Sequence, residues 1–281
     1  VKSFTETLLP DHAQVFAVDE VIYQERGEEQ DILVFRNPRY GRVMALEGIV
    51  QVTEADEFIY HEMMACVPLL AHGAARDVLI IGGGDGGTLR HILKHQSVQH
   101  VTMVEIEPDV ITLTKKYFPA ICGDAFDDQR TYLIIGDGCA FVRETEARFD
   151  VIIVDATDPV GPGKVLYTPE FYAACKRCLK QGGVLRTHAG MANDMNGTLR
   201  EVIGSLRANF AAVQFSLATI PTYVPGAMVF SLSTDNPDLL TVPQTVLTER
   251  LQASGVQCQY YTPALHIGCA ALPQYVIDLV K

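Results

Sequence analysis

The stretch Asp77–Thr88, DVLIIGGGDGGT, constrains this chain more than any other. Val78 to Ile81 have the length and branching of a buried parallel strand. Gly82, Gly83 and Gly84 stop the run, and Asp85, Gly86 and Gly87 complete a turn whose backbone can approach a ligand closely. From Thr88 the pattern is helical, with Leu89, Ile92 and Leu93 forming one stripe. Strand, Gly-rich turn and helix make the first βα unit of a nucleotide-binding domain. The spacing Gly82, Gly84, Gly87 fits the dinucleotide pattern, yet a carboxylate at Asp85 would repel a pyrophosphate. A cationic ligand suits this turn better.

The residues around this unit set the fold class. Residues 1–55 read as a small antiparallel β domain of five or six strands. Its strands include Ala17–Gln24 and two arms, Ile32–Phe35 and Arg42–Leu46, around the turn NPRYG; Ile49–Thr53 follows. So small a sheet is marginal alone and is expected to pack on a neighbour or a second subunit. A helix through His61–Leu70 opens residues 56–281, which alternate strand and helix. Strands are expected at Val78–Ile81, Val101–Ile106, Tyr132–Ile135, Val151–Val154 and Val184–Thr187, with helices such as Pro108–Tyr117 and Glu170–Leu179 between them. This is a Rossmann-like, doubly wound, mostly parallel α/β sheet. Val213–Ala218 and Ala227–Thr234 are expected to add an antiparallel pair at its edge.

Four successive strands end in carboxylates: Asp85, Glu105, Asp137, and Asp155 with Asp158. One such residue commonly caps a helix, but ligands in these sheets bind where all four converge. Glu105 lies where an acidic residue accepts hydrogen bonds from ribose hydroxyls. Asp137-Gly138 is placed to read an adenine amino group. Asp85, Asp155 and Asp158 remain for a positive charge, so a sulfonium nucleoside fits.

Composition narrows the partners. Hydrophobic residues make up 48% of the 281 and charged residues 20%, which describes a well-cored soluble protein. No apolar run approaches the roughly 20 residues of a membrane span. A net charge of −12 disfavours nucleic acid and anionic lipid as partners. VKSFTETLLPDH lacks the basic and apolar regions of a signal peptide, and the seven cysteines form no disulfide framework. Both features point to the cytoplasm.

QDILVF (from Gln30), DEFIYHEM (from Asp56), VLIIGGGDGG, VEIEPDVI, IGDG, DATDPVGPG (from Asp155) and IPTY (ending at Tyr223) run in order through nearly the whole chain. In these stretches it resembles the spermidine synthases of the polyamine aminopropyltransferase family. The resemblance implies a methyltransferase-like domain behind a small β domain. It also implies transfer of an aminopropyl group from decarboxylated S-adenosylmethionine to a diamine, most simply putrescine, giving spermidine and methylthioadenosine. Motif by motif, Gln30, Glu105, Asp137, Gly138 and Pro162 would contact the methylthioadenosine part. His61 and Asp85 would lie along the aminopropyl and polyamine side, Tyr60, Asp158 and Tyr223 would shape the diamine channel, and Asp155 would be catalytic. No metal or cofactor is implied, since the sulfonium nucleoside is a co-substrate, and a homodimer or homotetramer is expected.

The chemistry accounts for these residue types. A diamine nitrogen displaces the sulfonium at the propyl carbon, so the enzyme must orient the pair in line and supply an uncharged nitrogen. An alkylammonium, with a pKa near 10, arrives protonated. Asp155 could take that proton if crowding by Asp158 and burial raise its pKa. Asp85 would repel the carboxylate of intact S-adenosylmethionine.

The chain departs from the family pattern at Lys164-Val165 (usually Glu-Ser), at His188 (in a segment that usually bears Gln) and at His91 (usually Glu). EADEF also replaces ERDEF. These changes gather on the acceptor side. An amine N-methyltransferase using intact S-adenosylmethionine and a non-catalytic polyamine or nucleoside binder are therefore the competing readings; an NAD-linked oxidoreductase is disfavoured by Asp85. His91 and His95 are expected on an exposed helix face, and Cys175 and Cys178 as half-buried helical thiols.

Overall fold

The computed structural model describes residues 2–6, 8–9, 11–26, 31–157, 161–193 and 197–281. At the amino end, β1 (Lys2–Thr5) and β2 (Val15–Val18) form an antiparallel ribbon. A four-stranded antiparallel sheet follows in chain order: β3 (Glu20–Arg26), β4 (Asp31–Asn37), β5 (Gly41–Leu46) and β6 (Ile49–Thr53). The single strand expected over Ala17–Gln24 is broken at Asp19, whose N–H turns to Arg36 O. That break sends β2 and β3 to different sheets. The expected hairpin forms because Asn37 Oδ1 accepts the N–H groups of Arg39 and Tyr40, a side-chain imitation of a backbone turn.

Both faces of the small sheet are covered. Ile32, Val34, Met44 and Val52 face Val110, Leu113 and Phe118 of the larger unit. Phe35, Val43 and Val50 face Phe16 and Val18 of the ribbon. Along β4 the adjacent residues Val34 and Phe35, which point to opposite faces, are both buried, as a strand covered on both sides requires.

Next comes α1 (Glu57–His72), with 14 of its 16 residues buried. A helix apolar on every side must be an interior one. It ends at Gly73, whose left-handed φ of 80° lets its N–H reach Leu69 O. Then β7 (Asp77–Gly82), α2 (Gly87–Leu93), β8 (His100–Glu105), α3 (Pro108–Tyr117), α4 (Pro119–Cys122), β9 (Thr131–Ile135), α5 (Gly138–Glu144) and β10 (Phe149–Asp155) alternate. A 3₁₀ segment, Gly161–Tyr167, precedes α6 (Pro169–Cys178), β11 (Leu179–Met191), α7 (Thr198–Asn209), β12 (Ala212–Ala218) and β13 (Met228–Thr234). The chain closes with α8 (Gln244–Ser254), α9 (Pro263–Gly268) and α10 (Gln274–Val280).

The seven-stranded sheet runs β12-β13-β11-β10-β7-β8-β9, with β11 through β9 parallel and β12 and β13 antiparallel at one edge. This is the expected Rossmann-like architecture. One correction concerns β11, read as Val184–Thr187 but 13 residues long. Its polar start, LKQGG, hid the extra length. The chain order reverses between β7 and β10, and at that switch point the ends of β7, β8, β9 and β10 lie side by side.

Candidate active site

The Gly-rich turn after β7 sits between the ends of β10 and β8. Gly83 has φ 78°, and a Cβ there would lie 3.0 Å from Asp155 Oδ2. Only a bare backbone lets turn and carboxylate share this space. At Gly87 an added Cβ would lie 2.1 Å from the His61 ring, so this glycine admits the histidine of α1 to the start of α2.

Asp155, the last residue of β10, accepts a hydrogen bond from the Tyr60 hydroxyl at 2.9 Å. Its other oxygen is enclosed and has no hydrogen-bond partner among the described residues. Burial, and then the negative charge of Asp85, raise its pKa above the ordinary carboxylate value. Tyr60 is itself buried, with ring centroids of Phe230, Tyr223 and His188 at 5.6, 6.0 and 6.3 Å. The Tyr223 hydroxyl donates to Gln51 O of β6, so the aromatic wall joins the catalytic unit to the small sheet. Thr222, beside it, donates its N–H and hydroxyl to Asp56 Oδ2 at 3.0 and 2.7 Å.

His61 is held between two carboxylates: Nδ1 lies 2.5 Å from Glu57 Oε2 and Nε2 3.2 Å from Asp85 Oδ2. Burial pushes its pKa down, but Asp85 and then Glu57 overcome that and hold it well above the ordinary histidine value. The ring is therefore an imidazolium donating from both nitrogens. For Asp85, burial acts upward, while His61 and the Gly87 N–H prevail and keep it ionised. Arg90 Nη2 completes the group by donating to Glu57 Oε1 at 2.6 Å. Glu57 and Arg90 escaped the sequence reading; DEF and TLRH each carry a charge on an otherwise apolar helix face.

Glu105 ends β8, 7% exposed, and accepts the N–H of Glu107 at 2.9 Å. Burial pushes its pKa up to about 6 against the backbone donors around it. Asp137 is exposed and caps α5 by accepting the Cys139 N–H at 2.7 Å, with Gly138 buried behind it. Among the predicted site residues, Tyr60, His61, Asp85, Asp155 and Tyr223 form one contiguous cluster, while Glu105, Asp137 and Gly138 stand at the neighbouring strand ends. Gln30 and Asp158 lie outside the described residues. Pro162 lies in the 3₁₀ segment.

The departures also find places. His188 Nε2 lies 2.8 Å from Ala156 O and 2.7 Å from the Tyr167 hydroxyl, which donates to Thr157 O at 2.9 Å. It thus ties down the chain leaving Asp155. The Lys164 ammonium pairs with Glu201 Oε2 of α7 at 2.9 Å. His91 and His95 are not on an exposed face: both are 2% exposed, because α2 packs on α1 and His91 stacks over His61 at 6.4 Å. Cys175 and Cys178 are fully buried rather than half-buried, in the core under α6.

Fold and site together define an α/β enzyme of the methyltransferase-like class, with a group of carboxylates at the carboxyl ends of its strands. Residues 57–242 match the family described as the spermine/spermidine synthase domain, and residues 3–54 match the spermidine synthase tetramerisation domain. The chain belongs to the spermine/spermidine synthase family. It is 48% identical over 281 residues to the polyamine aminopropyltransferase of Pseudomonas syringae pv. tomato, covering 100% of this chain and 98% of that protein. The polyamine aminopropyltransferase of Escherichia fergusonii is 48% identical over 277 residues, covering 99% and 96%. A crystal structure of spermidine synthase in complex with the transition-state analogue AdoDATO superposes with a TM-score of 0.94 at 34% identity, covering 99% of this chain and 94% of that one. Spermidine synthase from Thermotoga maritima gives 0.90 at 32% identity, with the same coverage.

Proposed function

We propose that this protein transfers the aminopropyl group of decarboxylated S-adenosylmethionine to a diamine, with putrescine as acceptor and spermidine and methylthioadenosine as products. The single observation that carries the reading is the enclosed Asp155 carboxylate, oriented by Tyr60 and raised in pKa by burial and by Asp85. A carboxylate so raised is matched to taking a proton from an ammonium as its nitrogen attacks. The full-length likeness to polyamine aminopropyltransferases supports the same reading.

In this reading Glu105, Asp137, Gly138, Gln30 and Pro162 hold the nucleoside, and its ribose hydroxyls donate to Glu105. Asp85, steadied by His61, meets the ammonium of the aminopropyl chain. Tyr60, Tyr223 and Asp158 line the path of the diamine. The bond between the sulfonium and the propyl carbon breaks as the new carbon–nitrogen bond forms. The nitrogen's proton passes to Asp155. Sulfonium is already a good leaving group, so no metal or cofactor is called on. Residues 1–55 serve as the oligomerisation unit and residues 56–281 as the catalytic one. A tetramer is favoured over a dimer by the match of residues 3–54 to a tetramerisation domain. The cytoplasm suits seven unpaired thiols.

The test offers the protein putrescine with decarboxylated S-adenosylmethionine and, separately, with the intact form, and identifies the nucleoside by mass. Methylthioadenosine from the decarboxylated donor is expected. S-adenosylhomocysteine from the intact donor would instead make the protein an amine methyltransferase.

A further inference from the structure

Cys66 and Cys258 lie 192 positions apart, yet their sulfurs stand 3.7 Å from each other. Cys66 is on α1, about two turns beyond Tyr60, and is buried. Cys258 follows α8 in a loop and is the one part-exposed cysteine of the seven. Their approach is built in. Glu62, one turn before Cys66, accepts the N–H groups of Gln259, Tyr260 and Tyr261 at 2.8, 2.8 and 2.7 Å, which moors the loop to the helix. His95 Nε2 stands 3.9 Å from the Cys66 sulfur. Two thiols and an imidazole could suggest a metal centre, but among the described residues no three His, Cys, Asp or Glu are arranged to hold one. Pairing of the two sulfurs is the chemistry left.

We infer that Cys66 and Cys258 form a reversible disulfide, with Cys258 as the peroxidatic sulfur, Cys66 as the resolving one and a hydroperoxide as the oxidant. The hydrogen bond between the thiols, and then burial, push Cys66 up, while the same bond holds Cys258 below the ordinary thiol range. The reachable sulfur is thus the better nucleophile. Its thiolate attacks one peroxide oxygen, the O–O bond breaks, and sulfenic acid and hydroxide result. That hydroxide takes the Cys66 proton and becomes the first water, and the hydroxide displaced in the next step takes up the proton that Cys258 released on ionising. The Cys66 sulfur displaces hydroxide from Cys258, and the sulfurs close from 3.7 Å to the bonded distance of about 2.05 Å. Two thiols and one hydrogen peroxide become one disulfide and two waters.

The experiment treats the native protein with equimolar hydrogen peroxide, counts free thiols after denaturation and maps peptides by mass without reduction. The expected result is loss of two of the seven thiols, a linked Cys66–Cys258 peptide and full recovery with dithiothreitol. Cys258→Ser, at a part-exposed loop position, should retain all its remaining thiols. Cys66→Ser should leave Cys258 as a sulfenic acid that dimedone traps. Persistence of all seven thiols in the wild-type protein, a linkage between other cysteines, or dimedone trapping at Cys258 with Cys66 intact would overturn the inference.

Discussion

The Tyr60 hydroxyl donates to Asp155 across 95 residues of sequence, joining the first helix of the catalytic unit to the end of β10 at 2.9 Å. That bond engages Oδ1 and leaves Asp155 Oδ2 without a hydrogen-bond partner among the described residues, and under the proposed function Oδ2 is the oxygen that receives the proton. It also opposes the rise in the carboxyl pKa.

Asp155→Asn is expected to lower kcat by about 10²–10⁴, the usual range for losing a general base. Thermal unfolding should change little and donor binding should persist. Retention of wild-type turnover would remove Asp155 from the proton step.

Tyr60→Phe is expected to push the Asp155 pKa further up, since the lost hydrogen bond acts downward. The base works when deprotonated, so the acid limb of the kcat profile should move to higher pH. A pH-rate series on both proteins measures the displacement; an unmoved limb would separate Tyr60 from the titration.

Glu57→Gln should cost about 3–5 kcal/mol of stability, because it leaves the His61 cation one carboxylate short in a buried site. The folded His61 pKa is raised, so its contribution is fully present below the unfolded value of about 6.5 and is lost as pH rises through the folded one. Glu57 and Asp85 are lowered, so theirs is lost as pH falls through their folded values. Between those limits the Tm difference from wild type should be greatest, and it should shrink at high pH.

His91 behaves oppositely. Burial, and then the charges of Lys94, His61 and Arg90, lower its pKa to about 2. The unfolded chain binds the proton more readily, so His91 subtracts stability as pH falls below about 6.5. Arg90 and Lys94 both point donors at its ring, at 3.3 and 3.4 Å, and a neutral imidazole has one lone pair for them. His91→Gln should therefore raise Tm at pH 5 while leaving it nearly unchanged at pH 8. Melting curves at the two pH values decide this.

Lys164 and Glu201 are both more than half exposed, so their pairing is worth about 1 kcal/mol or less. Lys164→Glu should barely move Tm. It should lower the acceptor KM several-fold at low ionic strength, with the gain fading in salt.

Much of this was legible in the sequence because strands of a parallel sheet announce themselves as apolar runs, and Asp85, Glu105, Asp137 and Asp155 each end one or follow its end within three residues. Glu105 and Asp155 needed only strand ends to be located. Glu57, Arg90 and the Tyr60–Asp155 bond depend on how α1 lies across the sheet, and no local pattern encodes that. His91 was misread for the same reason: polar residues at helical spacing look solvated until another helix covers them. The break at Asp19 was lost because apolar residues flank it on both sides, Ala17 and Val18 before and Val21 to Tyr23 after, and no glycine or proline marks it.

The Gln51–Tyr223 bond ties the small β sheet to the aromatic wall beside Tyr60 and Asp155, so under the proposed function the sheet borders the acceptor path rather than standing as an appendage. Under the proposed function, substrate choice is accordingly a joint property of two units that look separable. A chimera exchanging the first 55 residues with a relative of different amine preference would carry part of that preference with it, even with every catalytic carboxylate left in place.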